Sequence, residues 1–222
     1  MDSNLIIKAS DITKTYGKLT VLHQVSINVI ASEIVAITGA SGAGKTTLLQ
    51  IIGSLDHPDS GTVSIKDTDI FSLKNNALAA FRNKHLGFVF QFHHLLPEFS
   101  ALENICIPAY IRGETKSKAE KKAMEYLEFL SIADRSSHKP SELSGGEAQR
   151  VAIARALINQ PDVVLADEPS GNLDATNSLE LHELFFKLRE HFGQTFVIVT
   201  HDPILAGKSD RIIHLRDGKV MD

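Results

Sequence analysis

Cysteine is nearly absent from this 222-residue chain. The single Cys106 has no partner for an internal disulfide, which suits a reducing compartment. A charge excess of either sign is also missing. The 23 Lys and Arg against 27 Asp and Glu leave a formal net charge of −4, so no global basic field points to nucleic acid or anionic lipid. No apolar run approaches the ~20 residues a membrane helix needs. The opening MDSNLIIKAS lacks the charged-then-apolar layout of a signal peptide. No internal repeat or low-complexity tract occurs. The expectation is a soluble, cytoplasmic-type protein that meets a membrane only through partners. The length suits one large domain, or a core with a small lobe, able to bury roughly 70% of its unfolded surface.

What is present begins with four apolar, β-branched runs: Glu33–Gly39, Leu86–Gln91, Val163–Glu168 and Thr195–His201. Each ends abruptly in small or polar residues. Uninterrupted runs of this kind read as strands buried on both faces, hence a parallel sheet covered by helices. Helical stretches at Lys45–Ser54, Ala148–Asn159 and Ser178–Glu190 alternate with them, giving an α/β fold. Ligands of such sheets sit beyond the carboxyl ends of the strands, where these runs place their polar residues. Residues 1–30 and 61–70 alternate over short segments, and RIIHLRDGKV carries the turn signal Asp217-Gly218. These read as an antiparallel sheet beside the parallel one. Residues 92–158 show no convincing strand and include a helical stretch at Lys116–Leu130, so they read as a helical subdomain inserted into a core made of 1–91 and 159–222. Lys116, Lys118, Lys121 and Lys122 read as a solvated helix face.

Three motifs carry chemistry. Gly39, Ala40, Ser41, Gly42, Ala43, Gly44, Lys45 and Thr46 satisfy G-x-x-x-x-G-K-[ST], after a buried strand and before a helix, with Thr47 next. Glycines let such a backbone wrap a polyphosphate with its N–H groups inward, and the helix start adds a positive dipole end. Lys45 would reach the β- and γ-phosphates and the Thr46 hydroxyl would bind Mg²⁺, as in a P-loop NTPase core. Asp167 and Glu168 close a buried strand. Asp167 is placed to hold Mg²⁺, and Glu168 to take a proton from an attacking water or orient it. Leu143-Ser144-Gly145-Gly146-Glu147 precedes an Ala-rich helix. Ser144 and Glu147 have capping-box spacing, but the two glycines suit a backbone that approaches an anion closely. This second anion site serves either a second nucleotide or one held by another copy of the chain.

The order of phosphate loop, Gln91, LSGGE, VVLADE, SGNLD and His201 resembles the nucleotide-binding subunit of ABC transporters over almost the whole chain. The resemblance implies an ATPase whose two copies stack head to tail, with Ser144, Gly145 and Gly146 of one facing the γ-phosphate on the other. It implies that Gln91 senses Mg²⁺ and water, that His201 contacts the γ-phosphate beside Glu168, and that Tyr16 stacks on adenine. It also implies integral membrane permease subunits as partners and a place on the cytoplasmic face of the inner membrane. Glu147 departs from the Gln of many members. Gln91-Phe-His-His-Leu-Leu-Pro-Glu-Phe99, with LSGGE and SGNLD, resembles most the ATPases of lipoprotein-releasing transporters. Macrolide exporters and a cell-division scaffold that signals to cell-wall enzymes share the LSGGE and SGNLD forms and stand as alternatives. His93 and His94 are adjacent, do not converge on one helix face, and are not read as a metal site.

Overall fold

A computed structural model describes residues 4–221, so residues 1–3 and 222 at the outer ends of the expected core lie outside the described residues. The strands are β1 (Leu5–Tyr16), β2 (Leu19–Ile30), β3 (Ile34–Thr38), β4 (Ser60–Ile65), β5 (Thr68–Asp69), β6 (Leu86–Phe90), β7 (Val163–Asp167), β8 (Thr195–Val199), β9 (Arg211–Arg216) and β10 (Lys219–Met221). The helices are α1 (Lys45–Ile52), α2 (Asn75–His85), α3 (Ala101–Ile111), α4 (Lys116–Phe129), α5 (Gly145–Leu157), α6 (Ala175–Phe192) and α7 (Pro203–Lys208).

All four long apolar runs enter one sheet, in the order β10-β9-β3-β8-β7-β6. β3, β8, β7 and β6 pair in parallel, with Asp167 level with both Val199 and Phe90, so their carboxyl ends share one edge. Helices cover both faces of this sheet, which explains the unbroken apolarity. Val164, Ala166, Phe196 and Ile198 face α3, α4, α5 and α6 in one apolar cluster. Val35, Ile37, Leu165 and Val197 face α1 and the second sheet in another. That second sheet, β2-β1-β4-β5, is antiparallel throughout, as expected for residues 1–30 and 61–70.

The C-terminal hairpin corrects one expectation. β9 runs parallel to β3, and only β10 is antiparallel to its neighbour, so the segment extends the parallel sheet instead of joining the antiparallel one. Its alternating burial reports a strand covered on one face, which says nothing about pairing direction. The hairpin turn also braces the phosphate loop: Gly218 N–H donates to the Ala43 carbonyl, and its own carbonyl accepts from His23.

Residues 92–158 contain α3, α4 and α5 and no strand. α5 and α6 begin three residues before the periodic patterns suggested, because Ser144 and Asp174 cap them through side-chain bonds to the N–H groups of Glu147 and Asn177. In a first turn the N–H groups lack intrahelical acceptors anyway, so Gly145 and Gly146 fit there. On α4, Lys116 pairs with Glu120 while Lys118 and Lys122 pair with Glu114, as befits a solvated face. Among the described residues no helix is long and apolar enough to cross a membrane.

Phe185 of α6 is fully buried and meets Phe196 of β8 edge-on, with ring centroids 5.1 Å apart. Phe185→Ala is expected to lower unfolding free energy by about 3–5 kcal/mol, measured by urea titration at unchanged m-value.

Candidate active site

β3 ends at Thr38, and the next six residues turn the chain into α1. Gly39 must be glycine. Its φ is +149°, and a Cβ there would lie 2.0 Å from the Leu215 carbonyl oxygen. Gly44 caps α1 with no side chain to bond, so the first N–H groups of the helix point unclaimed into the loop. Lys45 Nζ donates to the carbonyls of Gly39 (2.9 Å) and Ala40 (3.0 Å), which holds the ammonium across the loop mouth. Ala43 is buried and donates its N–H to Ala40. Gly39, Ser41, Gly42, Gly44, Lys45, Thr46 and Thr47 line an open cleft of ≈ 660 Å³, together with Tyr16, Gln91, Glu168 and His201.

The opposite wall comes from β7 and β8. Thr46 Oγ1 donates to Asp167 Oδ1 at 3.2 Å. Burial pushes the Asp167 carboxyl above its ordinary range and the Glu168 charge adds to this, against the Thr46 hydroxyl and the Lys45 ammonium. A cation here would relieve that pressure. Thr46, Asp167 and Gln91 offer hard oxygen donors, which suit Mg²⁺. Among the described residues no group of three His, Cys, Asp or Glu could hold a metal, so phosphate and water would supply the remaining positions.

Glu168 sits at φ +47°, a region that ordinary residues avoid. Its N–H donates to the Val199 carbonyl and its carbonyl accepts from Gly171, so the strained turn is held from both sides. Its Oε2 lies 2.7 Å from His201 Nδ1 and also accepts the His201 N–H at 3.3 Å. His201 is 74% exposed in its side chain and so reachable from the cleft.

Gln91 lies one residue past β6. Its amide donates to Asn172 Oδ1 (3.1 Å), and Asn172 donates back to the Gln91 carbonyl (2.9 Å). Tyr16 ends β1 at the cleft rim. Its hydroxyl donates to Asp56 Oδ2 at 2.5 Å, and Lys14 Nζ reaches Asp56 Oδ1 at 2.8 Å. Burial opposes ionisation of Asp56, but these two bonds hold its carboxyl below the usual range. Sequence reasoning missed Asp56, since nothing local marks a carboxylate forty residues from its phenol.

Ser144 and Gly146 do not join this group. They line a separate cleft of ≈ 730 Å³ with Arg150, Asn177 and Glu180. Part of the glycine requirement is internal: a Cβ on Gly146 would lie 2.8 Å from Asn177 Oδ1. A Cβ on Gly145 would meet only Leu173, at an ordinary 3.5 Å. Asn177 Oδ1 is a side-chain tip that can move aside, so packing gives Gly146 only a weak internal reason and Gly145 none. Asn177, three residues past the cap Asp174, was unmarked in the sequence reading. The carbonyls of His93 and His94 both accept from Arg155, which ties that loop to α5.

A family profile described as "ABC transporter" matches residues 22–171. The "Lipoprotein-releasing system ATP-binding protein LolD" of Bacteroides fragilis is 59% identical over 216 residues, covering 97% of this chain and all of that protein. The solved "Dimeric Structure of MJ0796, a Bacterial ABC Transporter Cassette" superposes with a TM-score of 0.90 at 41% identity, covering 98% of this chain and 97% of that one. A second dimeric structure of that cassette, in a post-hydrolysis state bound to ADP and Pi, gives the same TM-score at 40% identity and the same coverage.

Glu147 follows the two glycines. Its Oε2 accepts the Ser144 N–H at 2.8 Å and its Oε1 accepts from Arg135 Nε at 2.6 Å. The Arg135 bond, with the two Ser144 bonds, holds its carboxyl down at about 2. The unfolded chain therefore binds the proton first as pH falls. Stability from Glu147 is full above about 4.5 and lost as pH drops toward 2. Glu147→Gln keeps a cap acceptor but removes the ion pair. It should cost roughly 0.5–1 kcal/mol at pH 7 and flatten the acid-side loss of stability, read from urea midpoints across that range.

Proposed function

The chain belongs to the ABC transporter family, and from that premise we propose that two copies close head to tail on two ATP molecules and hydrolyse them to drive a membrane partner. One observation carries this reading. The Ser144 end of α5 and the phosphate loop line different clefts of the same chain, so each copy holds two anion-binding ends that do not meet. Head-to-tail pairing brings the Ser144–Gly146 backbone of one copy against the γ-phosphate held by the other. This also supplies the missing reason for Gly145.

In that closed site the loop N–H groups and the α1 dipole hold the phosphates, and Lys45 leaves the Gly39 and Ala40 carbonyls for the β- and γ-oxygens. Thr46, Asp167 and Gln91 would hold Mg²⁺, which would supply neutralisation of charge on the phosphate oxygens. Glu168 orients the attacking water and takes its proton. His201 fixes the Glu168 carboxylate through Nδ1 and leaves its other ring nitrogen for the γ-phosphate. Tyr16, tethered to Asp56 through its hydroxyl, offers its ring face to adenine.

The 59% identity to LolD favours a role in releasing lipoproteins from the inner membrane over the macrolide-exporter and cell-division readings. The partners are integral membrane permease subunits, met through the helical subdomain 92–158, and the chain acts at the cytoplasmic face through them. Glu168→Gln should retain ATP binding, lose about 100-fold or more in turnover and accumulate an ATP-bound dimer in size-exclusion chromatography. Hydrolysis at the wild-type rate would remove Glu168 from its role. Lys45→Ala should abolish turnover, and an unchanged rate would discredit the phosphate loop.

A further inference from the structure

Beneath the cleft, α6 carries a histidine that the mechanism leaves unused. His182 is fully buried. Its Nε2 lies 3.3 Å from Ser170 Oγ and 3.8 Å from Asp202 Oδ2, while its Nδ1 is buried with no hydrogen-bond partner. The two residues that face Nε2 come from different loops. Ser170 stands two positions after Glu168, and Asp202 directly follows His201.

An unpartnered buried ring nitrogen is best tolerated as a bare lone pair, which puts the proton on Nε2 and makes it the donor to Ser170 Oγ. Burial also pushes the imidazole toward its neutral form. At 3.8 Å the Asp202 carboxylate is beyond a hydrogen bond, yet it sits on the positive edge of the same N–H. Both partners are anchored further. Asp202 Oδ1 caps α7 through the N–H groups of Ile204 (2.7 Å) and Leu205 (3.2 Å). The Ser170 carbonyl accepts from Leu173 N–H and from Ser178 Oγ. A phenylalanine would fill the same space without an unpaired nitrogen, so packing alone gives no reason for a polar ring here.

We propose that His182 is a positioning residue for hydrolysis: its Nε2 N–H donates to Ser170 in the loop after β7 and faces the Asp202 carboxylate of the loop after β8 at 3.8 Å by charge alone, so that Glu168 and His201 keep their 2.7 Å contact. The assignment rests on reading Glu168 and His201 as the hydrolytic pair. The tie acts from behind, on the backbone that carries both side chains, and touches no nucleotide. Its loss therefore lowers kcat and leaves ATP binding alone.

The test compares ATP turnover of the full-length chain with His182→Phe and with His182→Gln, which restores an amide N–H donor. His182→Phe should lower kcat roughly tenfold at unchanged KM for ATP, with Tm shifted by no more than about 4 °C, and His182→Gln should recover most of the loss. A wild-type kcat in His182→Phe overturns the assignment. So does equal loss in both variants that tracks a fall in Tm, since that marks plain packing. If His182→Phe does not fold, Ser170→Ala, which leaves the imidazole in place, is expected to lower kcat in the same way, and a wild-type kcat there overturns the proposal. Glu168→Gln run alongside separates the outcomes. If it is inactive while His182→Phe turns over normally, the inference alone fails. If it hydrolyses normally, the reading beneath it fails.

Discussion

Parallel pairing of β7 with β8 sets Asp167 level with Val199, and the Glu168 N–H donates to the Val199 carbonyl one step beyond. The other distances in the cleft depend on that register. It places the two acidic residues at the same sheet edge as the end of β3, so the phosphate loop opens toward them. It also puts His201, two residues past β8, against the Glu168 carboxylate. A shift of one residue in the pairing would turn these side chains to the opposite face. Apolar clusters on both faces of the sheet oppose such a slip.

The cleft has an unbalanced set of charges. Asp167 and Glu168 are adjacent, Asp167 is pushed up by burial, and the nearby Lys45 ammonium is bound to two carbonyls. Donors are arranged for an anion on the loop side, and acceptors for a cation on the strand side, so a metal–polyphosphate complex satisfies both. The start of α5, by contrast, completes its own charge pair. Glu147 there is matched by Arg135. In the proposed head-to-tail pair, the remaining N–H groups of this helix end would receive an anion from another copy.

Much of this was legible in the sequence. The four apolar runs became the parallel strands because burial on both faces removes alternation, and the phosphate loop needs its residues in consecutive order. Helix starts were read late at α5 and α6, since the caps Ser144 and Asp174 act before the apolar periodicity begins. The hairpin at β9 and β10 was assigned to the wrong sheet because alternation reports covering, and covering is shared by both pairing modes. Contacts between distant segments left no local trace. Asp56 holding Tyr16, Asn177 crowding Gly146 and Ser170 meeting His182 arise only once the chain is folded.

That a working site is shared between two copies is tested most directly by mixing two inactive chains. One carries Lys45→Ala. The other carries Gly145→Asp, a position where the fold has room for a side chain. Head-to-tail pairing gives each mixed dimer one intact site, formed by the phosphate loop of the Gly145→Asp chain and the Ser144–Gly146 segment of the Lys45→Ala chain. The mixture should regain about a quarter of wild-type turnover, since half the dimers are mixed and each carries one good site. A mixture as inactive as its parents, or a Gly145→Asp chain that hydrolyses ATP at full rate alone, would contradict the shared site.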